Sequence, residues 1–326
     1  METARRAVID VGTNSVKLLV ADVAGREVRP VLEKSQQTRL GQGFYETRWL
    51  QPQAIEQTAA AVAAFTRDAR ELGANTVRVI ATSAARDARN PEDLLAAIES
   101  ATKLKVEIIS GEQEAELGFR GVMTDPALAR HTLLLLDVGG GSTELILGRA
   151  GHHHFRRSLA LGTVRLLEQI PHGDPPAASE LEACRKSLRQ CLDQQVRSEL
   201  EAALARESKR GATASGISDA RAHRVQFAGI GGTATILGRM ASSVEGFDRE
   251  RIEATRLTFE EIGRTVSRLW SLPLAERKQI PGLPANRADV ILFGLVIFEA
   301  VMEQFGFADL RISTRGLRFA AVLDAA

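Results

Sequence analysis

Cysteine is scarce in this chain of 326 residues, which contains only Cys184 and Cys191. The two lie seven positions apart in a helical pattern, so their Cα atoms would be ~10 Å from each other, too far for a disulfide bond. This cysteine content excludes a disulfide-stapled fold, and we expect two free thiols packed on a helix.

Long apolar runs are also missing. No segment reaches the ~20 consecutive apolar residues that a membrane-spanning helix needs. The first ten residues include Arg5 and Arg6 but no apolar run suited to a secretory signal. We expect a cytoplasmic protein with no membrane partner.

A surplus of charge of either sign is absent as well. Lysine and arginine total 42 and aspartate and glutamate total 41, so the global charge does not favour a nucleic-acid partner. Any site for a polyanion must therefore be local. The length exceeds what one hydrophobic core usually organises and predicts two domains of roughly 100 to 200 residues each.

The most informative feature that is present is a repeated phrase, which reads AVIDVGTNS at 7–15 and LLLDVGGGST at 134–143. Each copy is an apolar strand that ends in an aspartate and a glycine or hydroxyl turn and then enters a second apolar strand. An alignment without gaps places Asp10 on Asp137, Gly12 on Gly139, Ser15 on Ser142, Leu18 on Leu145 and Leu19 on Ile146. The natural interpretation is an internal duplication.

Two such hairpins facing each other form a phosphate clamp, because backbone amides approach phosphoryl oxygens only where side chains are absent. The residues that we predict to bind phosphate are Gly12, Thr13, Asn14, Ser15, Gly139, Gly140, Gly141, Ser142 and Thr143. Between the two copies, Asp10 and Asp137 are the predicted carboxylate ligands of Mg²⁺, directly or through water. Each aspartate has the alternative of being an ordinary turn residue.

The pattern of apolar residues predicts two α/β units, each begun by a strand meander and continued by alternating strands and helices. In the first unit we expect strands near 6–12, 16–23, 28–36, 76–81 and 105–109, a helix at 52–72, and helices opened by Asn90-Pro91 and by a capping box at Ser110. In the second we expect strands at 132–138, 143–149, 153–159, 225–228 and 309–313, helices at 177–206, from 233, at 258–270, at 286–305 and after 313, and a loop at 211–219.

Six phrases occur in order along the chain: VIDVGTNSVKLLVADV, ISGEQEAELGF, LLLDVGGGSTELILG, SLALGTVRL, FAGIGGTATIL and PGLPANRADVILFG. Together they closely resemble the exopolyphosphatase and guanosine pentaphosphate phosphohydrolase family (Ppx/GppA), in its short, two-domain form. The resemblance implies two actin-like, ribonuclease H-like domains of the superfamily that includes actin, heat-shock ATPases and acetate and sugar kinases. We assign 1–123 with 308–326 to the first domain and 124–307 to the second, with the active site in the cleft between them.

The resemblance also implies a function. Members hydrolyse a terminal phosphoanhydride with Mg²⁺, releasing orthophosphate from inorganic polyphosphate, and pppGpp is the expected second substrate, converted to ppGpp. Two-fold dimers are common in the family, so we expect a homodimer in which the helix at 177–206 or the apolar segment at 290–301 contributes contacts.

Three catalytic residues are implied by matching this sequence to the family motifs. Glu114 matches the catalytic glutamate, Glu144 a second acidic residue that holds the water or metal, and Arg86 an arginine that grips a phosphate. Each has a plainer alternative. Glu112, Glu114 and Glu116 suit the N-terminal turn of any helix, and Arg86 lies among other surface charges.

The segment 229–234 fits the dinucleotide-binding pattern G-x-G-x-x-A between a strand and a helix. It lies late in the chain, however, and no strand ending in an acidic residue follows at the proper distance. In the actin-like interpretation Gly231, Gly232 and Thr233 line the phosphate cleft instead.

Several other features stay open at this level. The run His152 to His154 invites a metal site, yet an exposed hairpin tip is the better prediction because the sequence places no other ligand at a suitable spacing. Arg156 and Arg157 extend a basic groove or face outward from an edge strand, and Arg287 and Asp289 face the cleft or cap the next helix. The family usually carries Glu-Gly where this chain has Phe319-Ala320.

Two competing functions also follow from the sequence. A kinase of the same superfamily would need an adenine pocket and an acceptor base, and no convincing pair is visible. A non-catalytic sensor of pppGpp or ppGpp would gain nothing obvious from Glu114 and Glu144, because anionic groups beside a polyphosphate oppose its binding.

Overall fold

The computed structural model describes residues 3–214 and 225–325. The first part of the chain contains β1 (Ala4–Val11), β2 (Ser15–Ala24), β3 (Glu27–Gln37), α1 (Phe44–Thr47), α2 (Pro52–Glu71), β4 (Thr76–Ala81), α3 (Ser83–Asp87), α4 (Pro91–Thr102), β5 (Val106–Ile108) and α5 (Gly111–Val122). The second part contains β6 (Thr132–Val138), β7 (Thr143–Arg149), β8 (His152–Leu159), α6 (Thr163–Gln169), α7 (Ala178–Gln195), α8 (Arg197–Ala214), β9 (Gln226–Ile230), α9 (Gly231–Ser242), α10 (Arg249–Ala254), β10 (Arg256–Thr258), α11 (Phe259–Trp270), α12 (Leu274–Arg277), α13 (Ile291–Phe305), β11 (Asp309–Ile312) and α14 (Leu317–Leu323).

The strands form two sheets that repeat one topology. The first has the order β3-β2-β1-β4-β5, in which β1, β2 and β3 are an antiparallel meander and β4 runs parallel to β1. The second has the order β10-β11-β9-β6-β7-β8, with the meander in β6, β7 and β8 and with β9 parallel to β6. This confirms the predicted α/β fold class. We call the first sheet with its helices the first lobe, and the second sheet with its helices the second lobe.

Two helices join the lobes. α5 contacts both β7 and β8, while α14 contacts β1, β2 and α5. Their approach depends on Gly121, where a Cβ atom would lie 2.0 Å from the Gly316 carbonyl oxygen. Because α5 is wedged between the lobes, a residue on its first turn faces the junction of the two sheets.

The second lobe has the larger core. α13 is buried along 291–302, and it packs against α11 and α7. A helix that is apolar on every side is expected at such a central position. The predicted role of the apolar segment 290–301 in a dimer interface is therefore wrong, since these side chains are already covered within one chain.

Other boundaries differ from the predictions. The single helix expected at 177–206 is two helices, α7 and α8, which meet at Val196, whose backbone leaves the helical region. α13 begins at Ile291 after a separate short helical turn at Ala285–Arg287. Of the loop expected at 211–219, residues 211–214 are helical and the rest lies outside the described residues.

The carboxyl-terminal segment is shared between the lobes. β11 runs parallel to β9 in the second sheet, although we had assigned 308–326 to the first domain. Only α14, after the strand, packs on the first sheet. The pairing of β11 thus corrects that strand's assignment, and the domain division itself stays a proposal. Within 3–214 and 225–325, no helix is both long and apolar enough to span a membrane.

Candidate active site

The two copies of the repeated phrase make the same tight turn. The Gly12 amide donates to the Ser15 carbonyl at 3.0 Å, and the Gly139 amide donates to the Ser142 carbonyl at 3.0 Å. The first turn joins β1 to β2 and the second joins β6 to β7. The internal duplication therefore extends to the backbone hydrogen bonding of the loops.

The second loop packs directly against the first lobe. A Cβ atom at Gly140 would lie 3.0 Å from the Thr13 Cβ, and one at Gly141 would lie 2.4 Å from both Ser83 Oγ and the Tyr45 hydroxyl. Glycine is required at such distances, because any side chain would collide with the opposite lobe. The two loops thus meet face to face, as a clamp requires.

This junction is rich in unused hydrogen-bond donors. Among the described residues, the amides of Thr13, Asn14, Gly140 and Gly141 donate to no backbone carbonyl outside the regular elements. Within the described residues, the hydroxyls of Thr13 and Ser83 are buried and have no hydrogen-bond partner. A buried donor that lacks an acceptor costs about 1–3 kcal/mol. An oxyanion bound here would supply the missing acceptors.

Both aspartates line the cavity between the loops, which has a volume of about 90 Å³. Lys17 Nζ lies 3.9 Å from Asp10 Oδ2. Gly231 has a positive φ of 79° and lies against Asp137, whose Oδ1 would be 2.1 Å from a Cβ atom there. Removal from water raises the pKa of Asp137 to about 6, and the charge of Asp10 adds to the rise while Lys17 opposes it.

Glu114 also lines this cavity, from the first turn of α5. The predicted capping box is present: Ser110 Oγ accepts from the Gln113 amide at 3.1 Å, and the Gln113 side chain accepts from the Ser110 amide at 2.8 Å. The cap sets the helix direction and so aims Glu114 at the loops. Its side chain is 14 % exposed, whereas that of Glu112 is 68 % exposed.

The environment of Glu114 holds its proton unusually tightly. Removal from water raises its pKa to about 7. Arg86 opposes this rise, with its Nη1 3.2 Å from Glu114 Oε2, and the charges of Asp137 and Asp10 add to it. Arg86 is fixed in place because the same nitrogen donates to the Ile109 carbonyl at 3.0 Å. A carboxyl group with this pKa is suited to general-base work near neutral pH.

Glu144 is a buried acidic residue beside Asp137 on the neighbouring strand. It is 1 % exposed, it pairs with Asp137 across the β6–β7 hairpin, and its Oε1 accepts from Ser158 Oγ at 2.7 Å. Removal from water, followed by the charges of Glu114 and Asp137, raises its pKa well above the ordinary glutamate value. Four acidic groups therefore converge where the two sheets meet.

The two aspartates supply the oxygen donors that a hard divalent cation requires. Within 3–214 and 225–325, no three His, Cys, Asp or Glu side chains are arranged as a closed metal cage. Mg²⁺ in phosphate-processing sites is typically held by one or two carboxylates, several waters and the substrate's own phosphates. Asp10 and Asp137, set on opposite walls of one cavity, match that donor set.

A second, larger cavity opens from the first. It has a volume of about 400 Å³, and Asp10, Asp137, Lys17 and Arg287 line both spaces. We call it the outer cleft. Its other charged lining residues are Glu33, Lys34, Arg239 and Arg318. The cations outnumber the anions there, so the outer cleft suits a polyanion that leads into the inner cavity.

The glycine-rich segment after β9 reaches the site as predicted for an actin-like cleft. Gly232 and Thr233 line the inner cavity, and Gly231 and Gly232 line the outer cleft. Thr233 Oγ1 donates to the Val138 carbonyl at 3.0 Å, which ties the segment to the end of β6.

Two open questions from the sequence are answered by geometry. Arg287 faces the cleft and donates to Ser15 Oγ at 2.6 Å. Removal from water lowers its pKa to about 10. Asp289 instead pairs with Arg39 at 2.9 Å.

The histidine run lies away from the site. The tertiary structure places acidic partners beside it that sequence spacing did not reveal: His153 Nδ1 is 2.7 Å from Glu116 Oε2, and His154 Nε2 is 3.6 Å from Glu207 Oε1. His153 and His154 therefore each have one carboxylate neighbour.

Sequence reasoning missed several residues at the loop junction. Arg165 donates to the Gly141 carbonyl at 2.8 Å and to Asp87 at 2.8 Å, and its guanidinium lies 4.4 Å from the centre of the Tyr45 ring. Ser83 and Tyr45 touch Gly141 from the other side. Only the neighbouring phrase around Gly162 carried a signal for Arg165, and nothing local marked Tyr45.

Comparison with known proteins agrees with this geometry. Residues 19–325 match the model of the Ppx/GppA phosphatase family. The chain belongs to the Ppx/GppA phosphatase family. It is 32 % identical over 317 residues to exopolyphosphatase 2 of Mycobacterium tuberculosis, covering 93 % of this chain and 92 % of that protein. It is also 26 % identical to exopolyphosphatase 1 of the same species, covering 98 % and 87 %.

Solved structures show the same Ppx/GppA fold. The Aquifex aeolicus family member has a TM-score of 0.76 at 27 % identity, covering 99 % of this chain and 97 % of that one. An exopolyphosphatase from Cytophaga hutchinsonii has a TM-score of 0.82 at 25 % identity, covering 98 % of each chain. The predicted actin-like architecture is confirmed by these neighbours.

Proposed function

We propose that this chain is an Mg²⁺-dependent exopolyphosphatase that removes orthophosphate from the end of inorganic polyphosphate. The observation that carries this proposal is the convergence of both glycine loops, both aspartates and Glu114 on one small cavity that continues into a cationic outer cleft. The likeness to exopolyphosphatases over nearly the whole chain supports it.

In this proposal the terminal phosphoryl group lies in the inner cavity. The free amides of the two loops and the hydroxyls of Thr13, Ser15 and Ser142 donate to its oxygens. The predicted contribution of the Thr143 hydroxyl is wrong, because it already donates to the Leu161 carbonyl at 2.9 Å. Such donors stabilise charge that spreads over the phosphoryl oxygens in the transition state without adding a net positive charge. The rest of the chain extends past Lys17 and Arg287 into the outer cleft.

Hydrolysis then requires a water molecule in line with the bridging oxygen. Glu114 takes a proton from this water as its oxygen bonds to the terminal phosphorus, the bond to the bridging oxygen breaks, and its electron pair stays on the shortened chain. Arg86 positions Glu114, and Glu144 holds the water or the metal from behind. The products are orthophosphate and a chain shorter by one unit.

Mg²⁺ held by Asp10 and Asp137 would supply positive charge that neutralises the terminal phosphates. The residues themselves argue for such a cation. Removal from water raises the pKa of Asp137, Lys17 opposes the rise and the charge of Asp10 adds to it, so a cation between the two aspartates would offset the cost of their negative charge.

One assay separates the candidate functions. Purified protein is incubated with Mg²⁺ and either polyphosphate, pppGpp, or ATP plus small acceptors, and free phosphate and ADP are measured. Phosphate release from polyphosphate without ADP formation is the expected result. ADP formation that depends on an acceptor would indicate a kinase, and tight binding of pppGpp or ppGpp without turnover would indicate a sensor.

Hydrolysis of pppGpp is the second proposed activity. Phe247, which is 51 % exposed, and Ile236 line the outer cleft and give a nucleoside an apolar surface. A nucleobase gains free energy from stacking on such a ring. Release of phosphate from pppGpp that falls in Phe247→Ala, with polyphosphate hydrolysis unchanged, is the expected outcome.

A homodimer also stays a proposal. With 290–301 covered inside the chain, the remaining candidate of the two is the segment 177–206, which spans α7 and the first part of α8 and has an exposed face on both helices. Size-exclusion chromatography with light scattering measures the mass directly, and the mass of a single chain would contradict the dimer.

A further inference from the structure

One acidic side chain interrupts the cationic lining of the outer cleft. Among the described residues that line it, the carboxylates are Asp10, Asp137 and Glu33, and the two aspartates belong to the catalytic end. Glu33 is therefore the anionic group that a substrate meets after it leaves that end. It lies on β3, opposite Leu19 of β2.

The position of Glu33 is fixed by cations from two other elements. Its Oε1 contacts Arg249 Nη2 of α10, and its Oε2 lies 3.4 Å from Arg318 Nη2 of α14. Arg318 is itself anchored, since its Nη1 donates to the Leu18 carbonyl at 2.7 Å. The side chains of Glu33, Arg249 and Arg318 are 15 %, 18 % and 17 % exposed. The carboxylate cannot simply swing away into solvent.

The sheet register sets its distance from the catalytic end. Asp10 pairs with Lys17, Lys17 pairs with Ser35, and Glu33 is two residues further along β3. With strands about 4.8 Å apart and a rise of about 3.4 Å per residue, the Cα atoms of Asp10 and Glu33 are roughly 12 Å apart. On the proposed path along the outer cleft, a short polyphosphate ends before Glu33 and a long one extends past it.

Glu33 offsets part of the positive charge of the outer cleft. Near the catalytic end a polyphosphate meets Lys17 and Arg287, which attract it. Further out it meets Glu33, whose carboxylate offsets part of the charge of Arg249 and Arg318 and occupies guanidinium groups that would otherwise be available to phosphates. Since these groups are largely removed from solvent, salt screens them less than surface charges.

We propose that Glu33 is a specificity-determining residue that limits chain length, favouring short polyphosphates over long ones. The inference rests on the proposed exopolyphosphatase function. It assigns Glu33 no part in the chemical step, so its removal changes the relative kcat/KM of long and short substrates and leaves kcat on the short substrate unaltered.

The test compares kcat/KM for long-chain polyphosphate and for tripolyphosphate in Glu33→Gln and in the unaltered protein. In Glu33→Gln, kcat/KM for long-chain polyphosphate divided by kcat/KM for tripolyphosphate should rise about tenfold. This rise should become smaller as ionic strength increases. Glu27→Gln is the matched control on the same strand. Glu27 is 58 % exposed and pairs with Arg29, so the ratio should not change.

A second variant guards against misfolding, because Glu33→Gln removes a partner from two arginines. Glu33→Asp retains a carboxylate beside Arg249 and Arg318. It should keep the long-to-short ratio of kcat/KM close to that of the unaltered protein. If Glu33 has only a structural role, Glu33→Gln should lower the melting temperature and leave the long-to-short ratio of kcat/KM unchanged.

A ratio that rises as much in Glu33→Asp as in Glu33→Gln, or equal effects of Glu33→Gln on both substrates, would overturn the inference while phosphate release by the unaltered protein still upheld the proposed function. If the unaltered protein released no phosphate from polyphosphate of any length, the proposed function would fail, and this inference with it.

Discussion

The two hairpins of the duplicated phrase have the same backbone but opposite charge at one position. Across the first hairpin Asp10 pairs with Lys17, and across the second Asp137 pairs with Glu144. Lys17 and Glu144 occupy equivalent places in the gap-free alignment. One wall of the cavity therefore carries a neutralised aspartate, and the other carries two acidic groups.

Under the proposed function, this difference gives the two loops different roles. The first wall carries a cation that would attract the substrate. The second wall concentrates negative charge. The pKa of Asp137 is raised to about 6, and that of Glu144 is raised well above its ordinary value by removal from water and by the charges of Glu114 and Asp137. Such carboxyl groups demand either protons or a metal ion, which suits a site for proton transfer and magnesium.

Glu114 faces both walls, so its removal is expected to have the largest effect. Glu114→Gln keeps the shape of the side chain but removes its ability to accept a proton. The kcat for phosphate release from polyphosphate should therefore fall about 10²- to 10⁴-fold. Glu112→Gln, on the exposed side of the same helix, is the control and should retain full activity. Unaltered release by Glu114→Gln would remove Glu114 from the chemistry.

The two aspartates are expected to differ although they are equivalent in sequence. Asp137→Asn should raise the Mg²⁺ concentration needed for half-maximal activity by roughly 10- to 100-fold. Asp10→Asn should raise it less, because Lys17, freed from its 3.9 Å partner, attracts the phosphates directly. Titration of activity with Mg²⁺ measures both, and equal shifts would contradict the proposed asymmetry.

Substitution of Lys17 tests whether the side of the cavity formed by the first hairpin attracts the substrate. Lys17→Gln should raise KM for polyphosphate by about tenfold at low salt with little change in kcat, because only attraction of the polyanion is lost. The effect should shrink as salt is added. Lys103→Gln, at the end of α4 and outside the lining of both cavities, is the matched control. A fall in kcat alone would mean that Lys17 acts in the chemical step.

The pH dependence of kcat/KM tests whether Glu114 acts as the general base. Glu114 works as a base only when deprotonated, so activity should rise with pH through a midpoint near 7 at low Mg²⁺. Added Mg²⁺ should move the midpoint to lower pH by offsetting the charges of the aspartates. A profile that falls across this range would contradict the assignment of Glu114 as the base.

The smallest expected effect is on stability. The pKa values of Asp137 and Glu114 in the folded protein, about 6 and about 7, lie above ordinary values of 3.8 and 4.5. Their contribution to stability is therefore fully present below about pH 4 and is lost as pH rises to about 7. At about 1.4 kcal/mol per pKa unit, Asp137 alone accounts for about 3 kcal/mol.

Melting temperatures with a chelator present should accordingly fall between pH 5 and pH 8 more steeply than with Mg²⁺. Glu144→Gln should gain more stability relative to the unaltered protein at pH 8 than at pH 5, because the raised pKa of Glu144 makes the loss of its proton costly. A variant that is destabilised at both values would show that Glu144 is needed for packing and not for charge.

Much of this site was predictable from short stretches of chain. The hairpins, the aspartates at their strand ends and the capping box at Ser110 all depend on residues within a few positions of one another. Hydrophobic periodicity, glycine placement and a capping pair are local signals, and local signals survive in the folded protein. The charge of Glu33 and its partners offered no such signal, because Arg249 and Arg318 are 216 and 285 positions away.

The sequence by itself determined that two equivalent acidic and glycine-rich turns exist and that a capped helix presents a glutamate. The tertiary structure alone decided that these turns face each other, that β11 joins the second sheet, that α13 is core and not interface, and that a carboxylate on β3 is clamped by two arginines in the cleft. The reason is physical: local propensities specify strands, turns and caps, whereas burial and charge pairing between distant segments arise only when the two sheets pack around α5 and α14.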